Sequence, residues 1–326
     1  MTEPTTKSIG FIGCGETARF HAEVLTSLNI KISCVFATNQ KSKNIEGFAN
    51  DFHIEKKYFD IEQMFLNEKL DAVWVVVPWN ITYKVLKQIR KYNVPIFVEK
   101  PVATTKLQVE ELIDLYKDFG SHLQVGFNRR FYDFMPQLKE SLIDKKIKSV
   151  IIEAPESSSE DDIFNLNMIH INTSHLIDLV LFLFDSLEFK SSWIMDKKNY
   201  SAFLIAKKNI PVHFISSWDT NSNFSIKIST EDEVFHLKPL EKLTIYDSMK
   251  VTTLSNNSKI RSYIPNIKSE YYCDDNFKPG FLQQALYFID KIDLDKSVTK
   301  NVSKHQYPDL ISCKKVINIC EKIIEQ

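Results

Sequence analysis

The segment that most constrains this chain is residues 7–20, which reads KSIGFIGCGETARF. An apolar run at 9–12 ends at Gly13, and the residues after the turn, FHAEVLTSL, place apolar side chains at helical spacing. Only seven glycines occur in the whole chain, and three of them lie in this one segment. The segment is therefore predicted to form a strand, a tight turn and the start of a helix.

The spacing of this turn, G-x-G-x-x-A, is typical of a turn that binds the pyrophosphate of a dinucleotide. In that interpretation Gly13 permits the tight turn, Gly15 lets the backbone approach the phosphates, and the small Ala18 lets helix and strand pack closely. The backbone amides of Glu16 and Thr17, at the start of the helix, then face the phosphates. The alternative is an ordinary glycine-rich turn between strand and helix. The position of the turn directly after the first strand favours the dinucleotide site.

The first 126 residues alternate between apolar runs and segments with helical spacing. The apolar runs predicted as strands include 9–12, 31–37, 71–77, 95–98 and 122–127. Near-continuous apolar runs are typical of parallel strands that are buried on both faces. The pattern predicts a doubly wound parallel sheet, an α/β fold whose ligand crevice lies at the carboxyl ends of the strands. Pro78, Trp79 and Asn80 follow one such end, and Glu99 and Lys100 follow another.

The end of the second predicted strand is where a dinucleotide fold meets the adenosine ribose. A carboxylate there hydrogen-bonds the 2′-hydroxyl of NAD, whereas polar or basic residues accommodate the 2′-phosphate of NADP. This chain has Thr38, Asn39 and Lys41 near that point and no carboxylate. The cofactor is therefore predicted to be NAD or NADP, with NADP favoured. The alternative is that Asn39 hydrogen-bonds the ribose of NAD.

From Ser149 onward, apolar and polar residues alternate with a period of two. Such segments lie at 150–156, 201–208, 211–218, 224–230 and 233–240. They predict an antiparallel sheet. Helical spacing interrupts the alternation at about 162–184 and returns at 283–292 and 312–324. We therefore predict an N-terminal Rossmann domain over residues 1–126 and an α+β domain with an open, mostly antiparallel sheet over residues 127–326, whose last helix docks back.

Length and composition limit the class of protein. At 326 residues the chain exceeds the usual size of a single core, which favours two domains. Apolar and charged fractions of 44% and 25% are typical of soluble globular proteins, and a net charge of -1 provides no basic surface for nucleic acid. The N-terminal residues do not resemble a signal peptide, and the apolar runs are too short to span a bilayer. A cytoplasmic protein that binds neither membrane nor nucleic acid is expected.

A metal site is not expected. The five cysteines are odd in number and lack C-x-x-C spacing, which argues against both a disulfide framework and a structural zinc site. A metal-binding pair formed by His170 and His175 is a poor alternative. Side chains five residues apart do not align on a helix, and no third ligand is apparent.

Four segments together resemble the glucose-fructose oxidoreductase, inositol dehydrogenase and MocA (Gfo/Idh/MocA) family. They are GFIGCGETA at 10–18, VVVPWN at 75–80, VEKP at 98–101 and VGFNRRF at 125–131. NTSHLID, KPGF and YPDL extend the resemblance over essentially the whole chain, and E-K-P is its most specific part. The resemblance implies a nicotinamide dinucleotide in the Rossmann domain and a substrate against the open sheet of the second domain. It also implies a homodimer or homotetramer.

The resemblance further implies catalytic roles for Lys100 and His175. The Lys100 ammonium, beside Glu99, would donate to the reacting substrate oxygen and stabilise a developing alkoxide. The alternative is an exposed Lys–Glu pair of little consequence. His175 would accept or donate the proton, which suits an imidazole that titrates near neutral pH, and the alternative is a core histidine. Asp178 shares its helix face, either as a substrate residue or as a structural cap.

The chain departs from the family pattern at two positions. Many members carry an aspartate four residues before the histidine, where this chain has Ile171, and a histidine where this chain has Thr82. His170 and Asn172 flank Ile171, and they are candidate substrate contacts in a segment that lacks the carboxylate.

Three polar residues follow the last predicted strand of the Rossmann domain. Asn128 is predicted to contact the dinucleotide, as are Glu99, Lys100 and residues 78–80. Arg129 is a candidate contact of a substrate phosphate or carboxylate. The alternative for Arg129 and Arg130 is a salt bridge between domains.

These observations predict an oxidoreductase that moves a hydride between a nicotinamide cofactor and a secondary alcohol or ketone of a sugar, polyol or nucleotide-sugar. A catalytically inactive dinucleotide-binding regulator of the same fold is the first alternative, which Ile171 in place of the aspartate permits. A glycosidase that uses transient oxidation by tightly held NAD is a weaker alternative. The presence of both Lys100 and His175 favours the oxidoreductase.

Overall fold

The computed structural model describes residues 7–38, 43–119, 122–161, 168–253, 261–292 and 308–325. The chain divides into two compact units. The first is Met1–Phe131 with Asp275–Asn318, and the second is Tyr132–Asp274 with Ile319–Gln326.

This division differs from the domain boundary that the sequence predicted at residue 126. The first unit continues to Phe131 and includes a helix, Phe281–Ile292, that the sequence placed in the second domain. Aromatic packing is the reason. Phe288 of that helix packs edge-on against Trp74 in the sheet, with ring centroids 5.0 Å apart, and Tyr287 contacts Phe131 at 5.6 Å.

Six parallel strands form the sheet of the first unit, within the residues just given. They are β1 (Ser8–Ile12), β2 (Lys31–Phe36), β3 (Lys56–Tyr58), β4 (Ala72–Val75), β5 (Ile96–Val98) and β6 (Leu123–Val125). Their order across the sheet is β3-β2-β1-β4-β5-β6. The strand order reverses between β1 and β4, and sheets of this kind bind ligands at that point, beyond the carboxyl ends of the strands. The predicted doubly wound fold is confirmed.

Helices alternate with these strands along the chain. They are α1 (Glu16–Ser27), α2 (Lys43–Asp51), α3 (Ile61–Asn67), α4 (Trp79–Ile89) and α5 (Lys106–Tyr116). Side chains of Asp60 and Thr105 accept hydrogen bonds from the first amides of α3 and α5. The residue before α1 is instead Gly15, which has no side chain to cap the helix.

In the described part of the second unit, eight strands form a mixed sheet. They are β7 (Ile147–Ala154), β8 (Leu187–Ile194), β9 (Asn199–Ala206), β10 (Ile210–Ser217), β11 (Ser225–Thr230), β12 (Val234–Leu237), β13 (Lys242–Thr253) and β14 (Arg261–Tyr272). Their order is β14-β13-β12-β11-β7-β10-β9-β8. Neighbouring strands are antiparallel except β7 and β10, which are parallel. The open, mostly antiparallel sheet that the sequence predicted is confirmed.

This sheet buries one of its two faces. Ile152 on β7 lies between Phe214 on β10 and Ile226 on β11, and all three are fully buried. Residues that alternate with them point to the other face, where Ile215 is 41% exposed.

Four further α-helices lie in the described residues. They are α6 (Met135–Ser141), α7 (Ser174–Phe184), α8 (Phe281–Ile292) and α9 (Leu310–Ile324). The helical segment predicted at about 162–184 is a π-helical turn, Ile169–Thr173, that runs into α7, and residues 162–167 lie outside the described residues. None of the described helices is both long enough and apolar enough to cross a membrane.

Candidate functional site

Main-chain hydrogen bonds just beyond the strand ends assemble the carboxyl edge of the parallel sheet. They run from Gly13 N to Phe36 O (2.9 Å), Val76 N to Ile12 O (2.8 Å), Glu99 N to Val75 O (2.9 Å) and Gly126 N to Val98 O (2.8 Å). These bonds bring the glycine turn, the start of α4 and the E-K-P segment to one edge of the sheet. The placement that the sequence predicted for these segments agrees with the observed topology.

Gly13 is required by the fold itself. A Cβ on Gly13 would lie 2.0 Å from the carbonyl oxygen of Val76, and its φ of +112° is one that L-residues rarely adopt. The first glycine of the motif therefore serves the turn between β1 and α1 and its contact with β4.

Gly15 is not required by the fold in this way. A Cβ on Gly15 would meet nothing within 4 Å, and its backbone is ordinary extended chain with φ −79° and ψ −174°. Glu16 is exposed and Thr17 is half-buried in the first turn of α1. Amides in the first turn of a helix have no intrahelical acceptor and attract phosphate groups. The open space at Gly15 and these amides fit the pyrophosphate of a dinucleotide.

Those of the other predicted dinucleotide contacts of the first unit that the structure describes are at the same edge. Thr38 is exposed just beyond β2, whereas Asn39 and Lys41 lie outside the described residues. Pro78 and Asn80, at the start of α4, are exposed. The cofactor roles of these residues stay predictions.

Contacts within the first turn of α4 stabilise the start of this helix. Trp79 is half-buried there, and the hydroxyl of Thr82 donates to the carbonyl oxygen of Pro78 at 3.3 Å. Thr82 is 2% exposed. At the position where the family pattern has a histidine, this chain therefore has a residue that stabilises the first turn of the helix.

Glu99, predicted as a cofactor contact, has partners inside the unit. Its Oε1 lies 2.8 Å from Nε2 of His21, and its Oε2 accepts from the backbone amide of Lys100 at 3.2 Å. A Cβ on Gly126 would lie 2.7 Å from Oε1, so this glycine leaves room for the carboxylate. Glu99 thus fixes the backbone at Lys100, which is half-buried and joined to Pro101 by a cis peptide bond.

His21 is a functional candidate that the sequence reasoning missed. It is 1% exposed and its ring packs against Phe97 with centroids 4.9 Å apart. The sequence did contain a signal, because His21 stands on the same stripe of α1 as the buried Ala18, Ala22 and Leu25. A histidine on such a stripe needs a buried partner, which only the fold reveals.

A 3-10 turn, Asn128–Phe131, follows β6. The side-chain amide of Asn128 donates to the carbonyl oxygen of Pro279 at 3.0 Å, so this donor is used within the unit. Arg130 is 3% exposed, and its guanidinium lies 5.7 Å from the centre of the Phe127 ring. Arg129 is half-buried, and its contact with a substrate stays a prediction.

In the second unit, the predicted residues lie on one continuous helical segment. His170 and Asn172 belong to the π-helical turn, and His175 and Asp178 to α7. All but Asn172 are at least nine-tenths buried. Burial lowers the pKa of His170 to about 4, so its imidazole is neutral at pH 7. Ile171, between them, is also buried.

A carboxylate that the sequence reasoning missed lies against this turn. Glu156, just beyond β7, accepts hydrogen bonds from Asn172 and Thr173. The signal was its spacing, since Glu156 continues the buried positions Ile152 and Ala154 at intervals of two residues. In the described ranges, no group of three or more His, Cys, Asp or Glu side chains is placed to hold a metal ion.

Comparison with known proteins finds a family match for the N-terminal part of the chain. Residues 7–127 match the family model GFO_IDH_MocA, described as an oxidoreductase family with an NAD-binding Rossmann fold. The whole chain resembles a solved dehydrogenase (MviM) from Clostridium difficile, with a TM-score of 0.76 and 22% identity over 98% of this chain and 99% of that one. Over residues 7–127, which are less than half of the chain, the sequence matches the Gfo/Idh/MocA family. The family resemblance predicted from the E-K-P segment and its companions is confirmed.

Two of the similar proteins have names that describe different roles. The inositol 2-dehydrogenase/D-chiro-inositol 3-dehydrogenase of Lacticaseibacillus casei is 30% identical over 149 residues, a match that covers 45% of this chain and 42% of that one. The match therefore spans less than half the length of this curated relative. The super-repressor mutant of Gal80p from Saccharomyces cerevisiae has the same fold, with a TM-score of 0.76 and 13% identity over 98% of this chain and 95% of that one.

Proposed function

We propose that this protein is an NAD(P)-dependent oxidoreductase that transfers a hydride between nicotinamide and a secondary alcohol or ketone. The observation that carries the proposal is the carboxyl edge of the parallel sheet. There, an open space in front of Gly15 lies at the end of β1, and the fixed backbone of Lys100 lies at the end of β5, with β4 between the two strands. A phosphate site beside a lysine at this edge is what a dinucleotide-dependent enzyme needs.

In this proposal, some residues of the chain would bind the cofactor and others would act on the reacting oxygen and its proton. Amides of the glycine turn and the first turn of α1 would hold the pyrophosphate. Bound nicotinamide supplies or accepts the hydride. Lys100 would donate from Nζ to the reacting oxygen and stabilise negative charge that develops on it. His175 would take the proton from the alcohol or return it to the ketone.

NADP is the cofactor that we favour. Thr38 is exposed beyond the end of β2, and the chain places no carboxylate at 38–41 to bind a ribose 2′-hydroxyl. The family description, an NAD-binding Rossmann fold, supports a nicotinamide dinucleotide without distinguishing the two. A cytoplasmic location stays a prediction of the sequence.

The substrate class that we propose is a sugar, a polyol or a nucleotide-sugar. The relative from Lacticaseibacillus casei is named for the oxidation of inositols, which are polyols, and it shares 30% of its residues with this chain over the matched stretch. Polyhydroxylated substrates need several hydrogen-bonding side chains around the reacting carbon. Arg129, His170, Asn172 and Asp178 are our candidates for these contacts.

A dinucleotide-binding regulator without turnover is the second candidate function. Its support is Ile171, which puts a buried apolar side chain where many family members carry an aspartate. The likeness in fold to the super-repressor mutant of Gal80p shows that this architecture also occurs in a protein named as a repressor.

We also propose that a second copy of the chain covers the exposed face of the eight-stranded sheet, as the resemblance implies. Trp193 on β8 pairs with Ser201 on β9, which pairs with Ile215 on β10, so Trp193 and Ile215 share this face. They are 63% and 41% exposed. Light scattering is expected to show a dimer or tetramer, and Trp193→Glu to shift it toward the monomer. A wild-type monomer would contradict this proposal.

The experiment that tests the proposed function is a titration followed by a turnover screen. Purified protein is titrated with NADH and with NADPH while its tryptophan fluorescence is recorded, and is then assayed by nicotinamide absorbance with inositols, sugar phosphates and nucleotide-sugars. Binding with turnover supports the oxidoreductase. Binding without turnover across the panel supports the regulator, and failure to bind either nucleotide contradicts both.

A further inference from the structure

Glu156 is a buried carboxylate whose side chain and backbone are both held in place. It lies two residues beyond the end of β7 and is 2% exposed. Its Oε2 accepts from Asn172 Nδ2 at 3.0 Å, and its Oε1 accepts from Thr173 Oγ1 at 2.7 Å. Its carbonyl oxygen accepts from the backbone amide of Asp219 at 2.9 Å. The backbone of Glu156 is therefore held by the segment that follows β10, and its carboxylate is held by the helical segment.

The two donors are the last residues of the π-helical turn Ile169–Thr173. Such turns are rare and are frequent at functional sites. Hydrogen bonds to a carboxylate are roughly twice as strong as bonds between neutral groups. Because Thr173 is fully buried, loss of its acceptor would leave a polar group without compensation by water. Glu156 is therefore well suited to stabilise this particular turn.

Other contacts hold the same turn from different directions. Ser174 Oγ donates to the carbonyl oxygen of Ile171 at 3.2 Å, and Cys320 Sγ on α9 donates to that of Ile169 at 3.7 Å. His175 follows directly after Ser174. The imidazole thus follows a turn that is contacted by Glu156 beyond β7, by α9 and by α7.

We infer that Glu156 is a positioning residue for His175. By holding Asn172 and Thr173, the Glu156 carboxylate sets the geometry of the turn that leads into α7. A displacement of about 1 Å in a catalytic group can cost on the order of a hundredfold in rate, so such a support has kinetic consequences. This inference rests on the proposed function, because the role of His175 as the proton carrier belongs to that proposal.

Three variants and one control test the inference. Glu156→Gln keeps the size of the side chain and one acceptor oxygen but places an amide donor against the donors of the turn. Thr173→Val removes the hydroxyl at nearly constant volume, and Thr173→Ser restores it. Glu233→Gln is the matched control, because Glu233 is also a largely buried carboxylate of this unit, with Lys145 at 2.7 Å and Lys268 at 2.5 Å as partners.

Two readouts are compared in the full-length variants: steady-state kinetics, and hydrogen exchange by mass spectrometry over residues 168–184. We expect Glu156→Gln and Thr173→Val to lower kcat by about tenfold or more. The Kd of the dinucleotide is expected to stay within about twofold of wild type. Both variants should accelerate exchange locally in 168–184. Thr173→Ser should recover kcat and protection, and Glu233→Gln should leave both unchanged.

Unchanged kcat and unchanged exchange at 168–184 in Glu156→Gln would overturn the inference. Accelerated exchange throughout the second unit would also overturn it, because it would show general destabilisation instead of a local role. If Glu156→Gln does not fold, Thr173→Val against Thr173→Ser decides the same question. A wild-type protein without turnover would defeat the proposed function, whereas the exchange comparison would still decide whether Glu156 holds the turn.

Discussion

His21 Nε2 lies 2.8 Å from Glu99 Oε1, and both residues are at least nine-tenths buried. The pair joins the first helix after the glycine turn to the E-K-P segment, across 78 residues of chain. Because the other oxygen of Glu99 accepts from the Lys100 amide, the pair connects α1 to the candidate catalytic lysine.

Removal of His21 is expected to destabilise the fold. His21→Leu leaves the Glu99 carboxylate buried without its partner, which costs about 3 kcal/mol of the free energy of unfolding. Asp51→Asn is the control, because it removes the exposed partner of Arg19 on the same helix and should cost less than about 1 kcal/mol. Urea unfolding at pH 7 measures both. An equal loss of unfolding free energy in the two variants would show that the buried pair stabilises the fold no more than an exposed pair does.

The two glycines of the turn should respond differently to alanine. Gly13→Ala drives a Cβ into the backbone oxygen of Val76 and is expected to cost more than about 3 kcal/mol of stability. Gly15→Ala meets no protein atom, so the melting temperature should stay at the wild-type value. Its added methyl enters the space for the pyrophosphate, and the Kd for the dinucleotide should rise about tenfold, or about 1.4 kcal/mol.

Thermal melting and fluorescence titration of the same two preparations check this prediction. The informative variant is Gly15→Ala. If it binds the dinucleotide as tightly as wild type, the space in front of α1 is not the phosphate site.

His170 should make the protein less stable in mild acid. Burial lowers its pKa to about 4, below the value of 6.5 for an unperturbed histidine. Between these two pH values the unfolded chain binds more protons than the folded one, so the free energy of unfolding falls as the pH drops. From pH 7 to pH 5 this one histidine should account for a loss of about 2 kcal/mol.

The measurement is the difference in urea unfolding between pH 7 and pH 5 for wild type and for His170→Leu. The loss should be smaller by about 2 kcal/mol in the variant. His53→Asn, a change at an exposed histidine, should leave the wild-type loss unaltered. The same pH dependence in His170→Leu and wild type would contradict the burial argument.

Loss of the Lys100 charge should lower turnover without preventing cofactor binding. Lys100→Met keeps the length of the side chain but removes the donor to the reacting oxygen, and kcat is expected to fall by roughly a hundredfold or more. Lys117→Met, at an exposed lysine after α5, serves as the control and should retain wild-type kcat. The assay uses whichever substrate the screen identifies. Similar kcat values in both variants would contradict the proposed catalytic role of Lys100.

The parts of the fold that depend on local sequence were predictable. The strand, glycine turn and helix at the N-terminus follow from one short segment, and β2, β4 and β5 are apolar runs. Strand β3 reads KKY and has no buried residue. The same reasoning did not predict strands β8, β13 and β14. Every residue of β14 is exposed or half-buried, so that strand shows no alternation of buried and exposed positions.

The candidate site was predictable only where one short segment carries the chemistry. Gly13, Gly15, Lys100 and His175 stand out by motif. His21 was missed because its partner is 78 residues away, and the contact between Glu156 and Thr173 spans 17 residues and two different elements. Such pairings depend on tertiary structure, which residue patterns along the chain do not report.

Hydride transfer itself is the most direct test of the central claim. NADPH or NADH that carries deuterium at C4 of the nicotinamide is incubated with the protein and the ketone form of an active substrate, and the product is analysed by mass spectrometry. We predict that the deuterium appears on the newly formed carbinol carbon with wild type and to a much smaller extent with Lys100→Met. A dinucleotide that binds while no deuterium enters any product of the panel would contradict the account and favour the regulator.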